Sequence, residues 1–141
     1  MPLKKTNTVL ATAFILFILW FGTEFILSPQ TVAQGYGLPH WPSGDGDGFL
    51  ITKGIRDVVL ALVLAILLLT GHRRALGWTL LTEALTAYGD MTNVLTHHGS
   101  LATALGIHCL TATLMTANGL LILRETRKDA AAPATPAPQT A

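Results

Sequence analysis

Cysteine and charged residues are both scarce in this sequence, and their scarcity excludes several classes of protein. The single cysteine, Cys109, excludes an internal disulfide, a paired-cysteine redox site and a thiolate metal cage. Only 12% of the 141 residues are charged, and the net charge of +1 gives no reason to expect a nucleic-acid partner. Because the sequence also lacks a dinucleotide-binding fingerprint and a metal-ligand cluster, we expect no cofactor and no metal site.

Apolar residues make up 50% of the chain, and they fall in four long blocks that are almost free of Lys and Arg. A membrane span needs about 20 mostly apolar residues, which the first, third and fourth blocks supply directly. The second block reaches that length only by including Gly54, Arg56 and Asp57. The pattern therefore predicts an all-α protein built as a bundle of four transmembrane helices. The predicted spans cover about residues 9–28, 54–71, 75–95 and 100–123.

The basic residues predict the orientation of this bundle. With four spans, seven of the nine fall on one side of the membrane, namely Lys4, Lys5, Arg73, Arg74, Arg124, Arg127 and Lys128. The positive-inside rule makes that side cytoplasmic, so we expect a multi-pass plasma-membrane protein with both termini in the cytoplasm. An alternative is that the first block is a signal peptide cleaved near residues 31–33, although its apolar stretch is longer than such peptides usually have.

The sequence predicts one membrane domain, residues 1–128, followed by a tail. Residues 129–141 are rich in Ala and Pro and poor in large apolar residues, so we expect a disordered cytoplasmic tail there. The long segment of residues 28–49 contains several Gly and Pro residues, and it is predicted to be irregular backbone that caps the outer face.

Ionisable residues inside the predicted spans indicate a functional site, because burying a charge there costs about 2.5 to 3.5 kcal/mol even on the lenient insertion scale. With a rise of about 1.5 Å per residue, Glu24, Arg56, Asp90 and His108 lie about 6 to 11 Å outward of the midplane. Four helices thus present a polar group at nearly one level. Glu83 lies closer to the midplane.

Two polar stripes predict the cavity that these groups would line. On the third helix Glu83, Asp90 and Asn93 recur at helical spacing, and on the fourth His108 and Thr111 do the same. Facing stripes predict a polar pocket that opens outward, and we expect it to handle a small lipophilic molecule. The groups suit acid/base isomerisation, cyclisation, hydration or simple binding.

Adjacent residues on a helix point about 100° apart, so Arg56 and Asp57 need separate roles. Asp57 lies in the first turn of the second helix, where the helix dipole favours a carboxylate. Arg56 is predicted to pair with Asp90, with Glu24 as the second choice, and to hold an oxyanion. The predicted catalytic residues are Asp90, Arg56, His108 and Glu83, and the predicted ligand-binding residues are Glu24, Asp57, Asn93 and Thr111.

A different interpretation of the same residues is a non-catalytic membrane subunit. Polar side chains also hold membrane helices together, so they could serve a homo-oligomer or a complex with another membrane protein. A transporter is a third interpretation, although four short helices would have to dimerise to provide alternating access. Membrane lipids are expected neighbours in every case.

Short motifs in the chain resemble a known family. They are Lys-Gly-Ile-Arg-Asp at residues 53–57, Tyr-Gly-Asp at 88–90, Ile-His at 107–108, Leu-Ser-Pro at 27–29 and Gly-Tyr-Gly-Leu-Pro at 35–39. The chain resembles, over roughly residues 10–123, a family of small four-helix membrane proteins known only as a domain of unknown function, with DoxX-like relatives. The resemblance implies that Gly54, Arg56, Asp57, Gly89, Asp90 and His108 are the characteristic positions of the family. It implies no particular activity.

Overall fold

A computed structural model of the chain describes residues 3–131. All regular structure in that range is helical, which confirms the all-α prediction. The α-helices are α1 (Leu3–Leu27), α2 (Pro29–Gly35), α3 (Asp47–Leu69), α4 (Arg73–Thr96), α5 (Leu101–Thr103) and α6 (Leu110–Ala131). A 3₁₀ turn at Gly44–Gly46 precedes α3, and a π-helical segment at Ala104–Cys109 joins α5 to α6. We call α5, this π-helical segment and α6 together the C-terminal helix.

Local sequence signals explain where the helices begin and end. Ser28 precedes Pro29, whose ring disfavours a helical conformation at Ser28 but suits the first turn of α2. After α3 the chain turns at Gly71, where φ is 76° and glycine is the favoured residue. The C-terminal helix begins with a capping bond, because the Oγ atom of Ser100 accepts a hydrogen bond from the backbone N–H of Thr103 at 3.2 Å.

The structure differs from the predicted bounds in the segment after α1. We expected irregular backbone over residues 28–49, but α2 and the 3₁₀ turn lie within that range and α3 already begins at Asp47. A carboxylate in the first turn of a helix interacts favourably with the helix dipole, which is a reason for α3 to begin at Asp47. At the other end of the chain α6 reaches Ala131, and the rest of the predicted disordered tail, residues 132–141, lies outside the described residues.

The four long helices form two close pairs, α1 with α3 and α4 with the C-terminal helix, and each pair crosses at facing glycines. A Cβ atom on Gly54 would stand 2.6 Å from the carbonyl oxygen of Gly22. A Cβ atom on Gly119 would stand 2.9 Å from the carbonyl oxygen of Gly77. Small residues of this kind allow helix backbones to approach closely. The two glycine contacts thereby determine which face each helix turns inward.

Hydrogen bonds define one end of the molecule. The Nδ2 atom of Asn7 and the Nη2 atom of Arg73 each donate to Oε2 of Glu125 at 3.0 Å. These bonds bring together the beginning of α1, the beginning of α4 and the end of α6. We call this end of the molecule the basic end, because the seven basic residues named above lie close in sequence to the residues that form it. We call the opposite end the loop end.

The apolar core occupies the half of the molecule nearer the basic end. Its buried members come from all four long helices and are Ala11, Ile15, Leu64, Leu76, Leu80, Ala84, Met115 and Ile122. Toward the loop end this packed core gives way to ionisable side chains. The candidate site therefore lies next to the apolar core, on the side of the loop end.

Two helices within residues 3–131 are long and apolar enough to cross a membrane. They are Leu3–Leu27 and Leu101–Lys128. The other two long helices, α3 and α4, contain the charged residues of the candidate site, whereas His108 lies on the C-terminal helix.

Candidate functional site

A cavity of about 90 Å³ lies between the four long helices. Its apolar wall includes Phe17, Ile18, Phe21, Leu60 and Met115. Its ionisable lining residues are Lys53, Asp57, Glu83, Asp90 and His108. A water molecule needs roughly 10 to 15 Å³ on such a scale, so the space suits a small ligand or the polar group of a larger one. The volume of this cavity is well below the roughly 300 to 1,000 Å³ of pockets that bind drug-sized molecules.

Lys53 is the cation of this cavity. Its Nζ atom lies 2.7 Å from Oδ2 of Asp57, one turn further along α3. The same Nζ atom lies 4.8 Å from the ring centroid of Phe25, 5.5 Å from that of Phe21 and 5.6 Å from that of Tyr36. An ammonium group within about 6 Å of an aromatic ring is attracted by the ring quadrupole. Lys53 is thus held by a carboxylate and three rings.

The aromatic residues around Lys53 belong to a continuous row along α1. The ring centroids of Phe17 and Phe21 are 5.9 Å apart, and those of Phe21 and Phe25 are 5.1 Å apart. The row continues to Tyr36, whose ring centroid is 6.4 Å from that of Phe25 and 4.8 Å from that of His108. Its rings border the cavity at one end and the segment after α1 at the other.

Glu83 is the most deeply buried acid of the cavity. Only 7% of the residue is exposed, and neither carboxyl oxygen has a hydrogen-bond partner among the described residues. Thr86, Ala87 and Asp90 follow on the same face of α4 and also line the cavity. A buried carboxyl group without a partner is costly, so Glu83 needs a proton or a cation that the described side chains do not supply.

His108 lies within the π-helical segment and is buried. Its Nε2 atom is 2.9 Å from the backbone carbonyl oxygen of Tyr36. Because a carbonyl oxygen only accepts, Nε2 donates this bond, and a neutral ring then has its lone pair on Nδ1. Single π-helical turns often occur at functional sites, since the wider turn redirects the side chains that it contains.

Residues 28–46, which we call the outer segment, cover the loop end of the cavity. The N–H of Ser100 donates to the carbonyl oxygen of Gly37 at 2.8 Å, and Trp41 Nε1 donates to Oε1 of Gln30 at 2.8 Å. Burial raises the pKa of the Tyr36 hydroxyl above its ordinary value, and the hydrogen bond to the Asp90 carboxylate raises that pKa further. Burial and the nearby Asp90 carboxylate therefore both favour the protonated form of the Tyr36 hydroxyl.

We expect the hydrogen bond from His108 to restrain the outer segment. The variant His108→Phe keeps an aromatic ring beside Tyr36 but loses the donor, so amide hydrogen exchange in residues 29–36 should become faster. The loss of one such bond should lower the free energy of unfolding by about 1 kcal/mol. Exchange measured by mass spectrometry tests this, with His72→Phe at the exposed turn of the basic end as the control. Unchanged exchange in residues 29–36 would mean that other contacts hold the segment.

Five of the eight predicted site residues line the one cavity. They are Asp57, Glu83, Asp90, His108 and Thr111. Asn93 is exposed and lines a second cavity of about 190 Å³, between the outer segment and the helices, which also reaches Lys53 and Tyr36. The polar stripe predicted on α4 is therefore divided between two neighbouring spaces.

Arg56 and Glu24 lie outside the cavity, and the predicted ion pair between Arg56 and Asp90 does not form. Arg56 is exposed, and the two salt bridges among residues 3–131 are Lys53–Asp57 and Arg73–Glu125. The reason is the contact between Gly22 and Gly54, which fixes the rotation of α1 and α3. Glu24 and Arg56 each follow one of these glycines by two residues, and two residues turn a helix by about 200°, away from the helix contact.

Lys53 and the aromatic row were not predicted as site residues. Phe17, Phe21 and Phe25 recur every four residues, so their spacing could have indicated one aromatic face on α1. Lys53 precedes Asp57 by four residues, the spacing at which opposite charges meet on a helix. The π-helical segment at His108 has no comparable sequence signal.

The fold and the cavity define an all-α protein with helices of membrane-spanning length and ionisable groups gathered between them. The chain belongs to the family described as Domain of unknown function (DUF4267), whose model matches residues 15–122. This match confirms the resemblance to a family of unknown function. The matched range contains every residue that lines the cavity, whereas Asn7 and Glu125 of the basic end lie outside it. No curated protein and no solved structure matches the chain.

Proposed function

We propose that this chain is a four-span membrane protein that binds a small lipophilic molecule in the cavity between its helices. The observation that carries the proposal is the composition of the cavity. An apolar and aromatic wall faces Lys53, Asp57, Glu83, Asp90 and His108. An apolar pocket with a few convergent polar groups is the usual form of a small-molecule site.

The surface of the molecule supports four spans rather than two. Large apolar side chains are exposed on α3 and α4 as well as on α1 and the C-terminal helix. Examples are Val59, Leu62, Ile66 and Leu69 on α3, and Trp78 and Leu85 on α4. Soluble monomers rarely expose apolar surface in large contiguous patches. At about 1.5 Å per residue, the 23 residues of α3 and the 24 of α4 are each long enough for a hydrocarbon core of about 30 Å.

The orientation that we propose follows from the basic end. The hydrogen bonds of Glu125 to Asn7 and Arg73 bring the beginning of α1, the beginning of α4 and the end of α6 to one end. The positive-inside rule assigns that end to the cytoplasm, so the loop end and the outer segment face outward. A plasma-membrane location and cytoplasmic termini are part of this proposal.

Proton transfer is the chemistry that the lining groups could add to binding. Glu83 or Asp90 would take a proton from the bound molecule and return it at another atom, as an isomerisation or cyclisation requires. His108 would assist through the Nδ1 lone pair of its neutral ring. Lys53 replaces Arg56 as the cation that would stabilise a developing oxyanion, because Lys53 lines the cavity and Arg56 does not.

Native mass spectrometry of the purified protein tests ligand binding directly. We expect a defined small molecule to co-purify with the wild type and to be lost from Ala87→Phe, which places a ring in the cavity. The control is Leu85→Phe on the exposed side of the same helix, which should retain the molecule. The same occupancy in all three proteins would place the bound molecule elsewhere, and an empty wild type would count against the proposal.

A second candidate function is a non-catalytic subunit that associates through the C-terminal helix. Small residues lie on its exposed side at Ala102, Gly106, Thr113 and Ala117, and an added Cβ on Gly106 would meet nothing within 4 Å. Such a face would allow another helix to approach closely. A stable oligomer with an empty cavity, disrupted by Gly106→Leu, would favour this function over ligand binding.

A further inference from the structure

The charges that line the cavity do not balance. Lys53 lies 2.7 Å from Asp57, and these two groups neutralise each other. The remaining acids of the cavity are Glu83 and Asp90, and neither forms a salt bridge in the part of the chain that the structure describes. The cavity therefore holds two acids without a cationic partner among the described residues, and Glu83 has no hydrogen-bond partner there at all.

Glu83 is positioned to receive a donor from a ligand. The residue is only 7% exposed, both carboxyl oxygens are buried and unpartnered among residues 3–131, and the side chain lines the cavity. A buried carboxylate is stabilised most by a cationic donor, because charge-assisted hydrogen bonds are about twice as strong as neutral ones. A ligand with a carboxylate or phosphate group would instead bring like charges together in a space of low polarity.

The aromatic wall of the cavity already lies close to one ammonium group, that of Lys53. Phe21 lines the cavity, and its ring centroid is 5.5 Å from the ammonium of Lys53. Phe17 stacks on Phe21 at 5.9 Å and lines the same cavity. Aromatic faces attract organic ammonium ions, whereas they contribute little to an alcohol of the same shape. Glu83 and the aromatic wall line the same cavity, and both favour a cationic ligand over a neutral or anionic one.

We infer that the ligand of this cavity is a small lipophilic amine in its protonated form, with its ammonium group bound to Glu83 and its apolar body against Phe17, Phe21 and Met115. This inference rests on the proposed function and specifies the chemical class of the ligand. In this inference Glu83 binds the charged group of the ligand. Lys53 and Asp57 line the site as an ion pair whose two charges cancel.

The test compares three probes of similar shape, benzylamine, benzyl alcohol and benzoate. Binding to the full-length protein in phosphatidylcholine nanodiscs is measured at neutral pH by saturation-transfer NMR, with empty nanodiscs subtracted. We expect benzylamine to bind at least about tenfold more tightly than the other two. Glu83→Gln should abolish this preference, whereas Glu83→Asp should keep it. Asp45→Asn, which removes one exposed carboxylate from the loop end, is the matched control and should behave as the wild type.

The outcomes separate the inference from the proposed function. If benzyl alcohol or benzoate binds as well as benzylamine, and Ala87→Phe abolishes that binding, the amine inference is wrong while the proposed function stands. If no probe binds the folded wild type, both fail. If the preference for benzylamine survives Glu83→Gln, Glu83 is not the recognising group and the inference is overturned. If phosphatidylethanolamine in the nanodiscs competes with benzylamine, the source of the ammonium group is a lipid headgroup. If it does not compete, the source is a free amine.

Discussion

Replacing Gly54 with alanine is expected to destabilise the protein, although the same change normally stabilises a helix. A Cβ atom at this position would stand 2.6 Å from the backbone oxygen of Gly22 and 2.9 Å from side-chain atoms of Phe25 and Ile26. Backbone atoms cannot rotate away, so α1 and α3 would have to separate along their contact. Overpacking of this kind costs typically about 1 to 3 kcal/mol. We expect a lower melting temperature of the detergent-solubilised protein, followed by tryptophan fluorescence.

The matched control is Gly89→Ala on α4. Nothing lies within 4 Å of an added Cβ there, so alanine should increase stability by up to about 1 kcal/mol through helix propensity alone. The two substitutions are chemically identical and should change the melting temperature in opposite directions. A rise at both positions would show that the helices are not in close contact at Gly54. Gly119→Ala, which would meet the backbone of Gly77 at 2.9 Å, should behave like Gly54→Ala.

The glycine contacts also explain which parts of the site could be predicted from sequence. Depth along a helix follows from counting residues, so the position of Asp90 and His108 at a similar level could be estimated without a structure. Stripes at spacings of three and four correctly placed Glu83 and Asp90 on one face of α4. The rotation of α1 and α3 could not be obtained in this way, because it depends on a contact between two glycines far apart in the sequence.

The positive charge of a side chain did not by itself predict which basic residue lines the cavity. Arg56 and Lys53 belong to the same short motif, and the depth that Arg56 shares with Asp90 along the predicted spans favoured Arg56. The structure turns Arg56 outward and places Lys53 between Asp57 and the rings of α1. The short π-helical segment that contains His108 was equally unpredictable, since no local residue preference in the sequence marks it.

Removing the carboxylate of Glu125 is expected to have the largest effect on stability of any single substitution at the basic end. The Nε atom of Arg73 lies 2.6 Å from Oε1 of Glu125, and Nη2 donates a hydrogen bond to Oε2 at 3.0 Å, so the two groups form a close, hydrogen-bonded ion pair. The side chains are only 13% and 6% exposed, respectively. Glu125→Ala leaves the guanidinium buried without its partner, which typically costs about 3 to 5 kcal/mol. Titration with a denaturing detergent measures this loss.

A double substitution distinguishes this ion pair from ordinary packing. Arg73→Met combined with Glu125→Leu removes both charges and keeps apolar volume, so it should be more stable than Glu125→Ala alone. Arg124→Ala, which removes a neighbouring exposed charge, should change the free energy of unfolding by no more than about 0.5 kcal/mol. If Glu125→Ala costs less than about 1 kcal/mol, the pair behaves like a solvated surface pair. The basic end would then be held together by helix packing rather than by this ion pair.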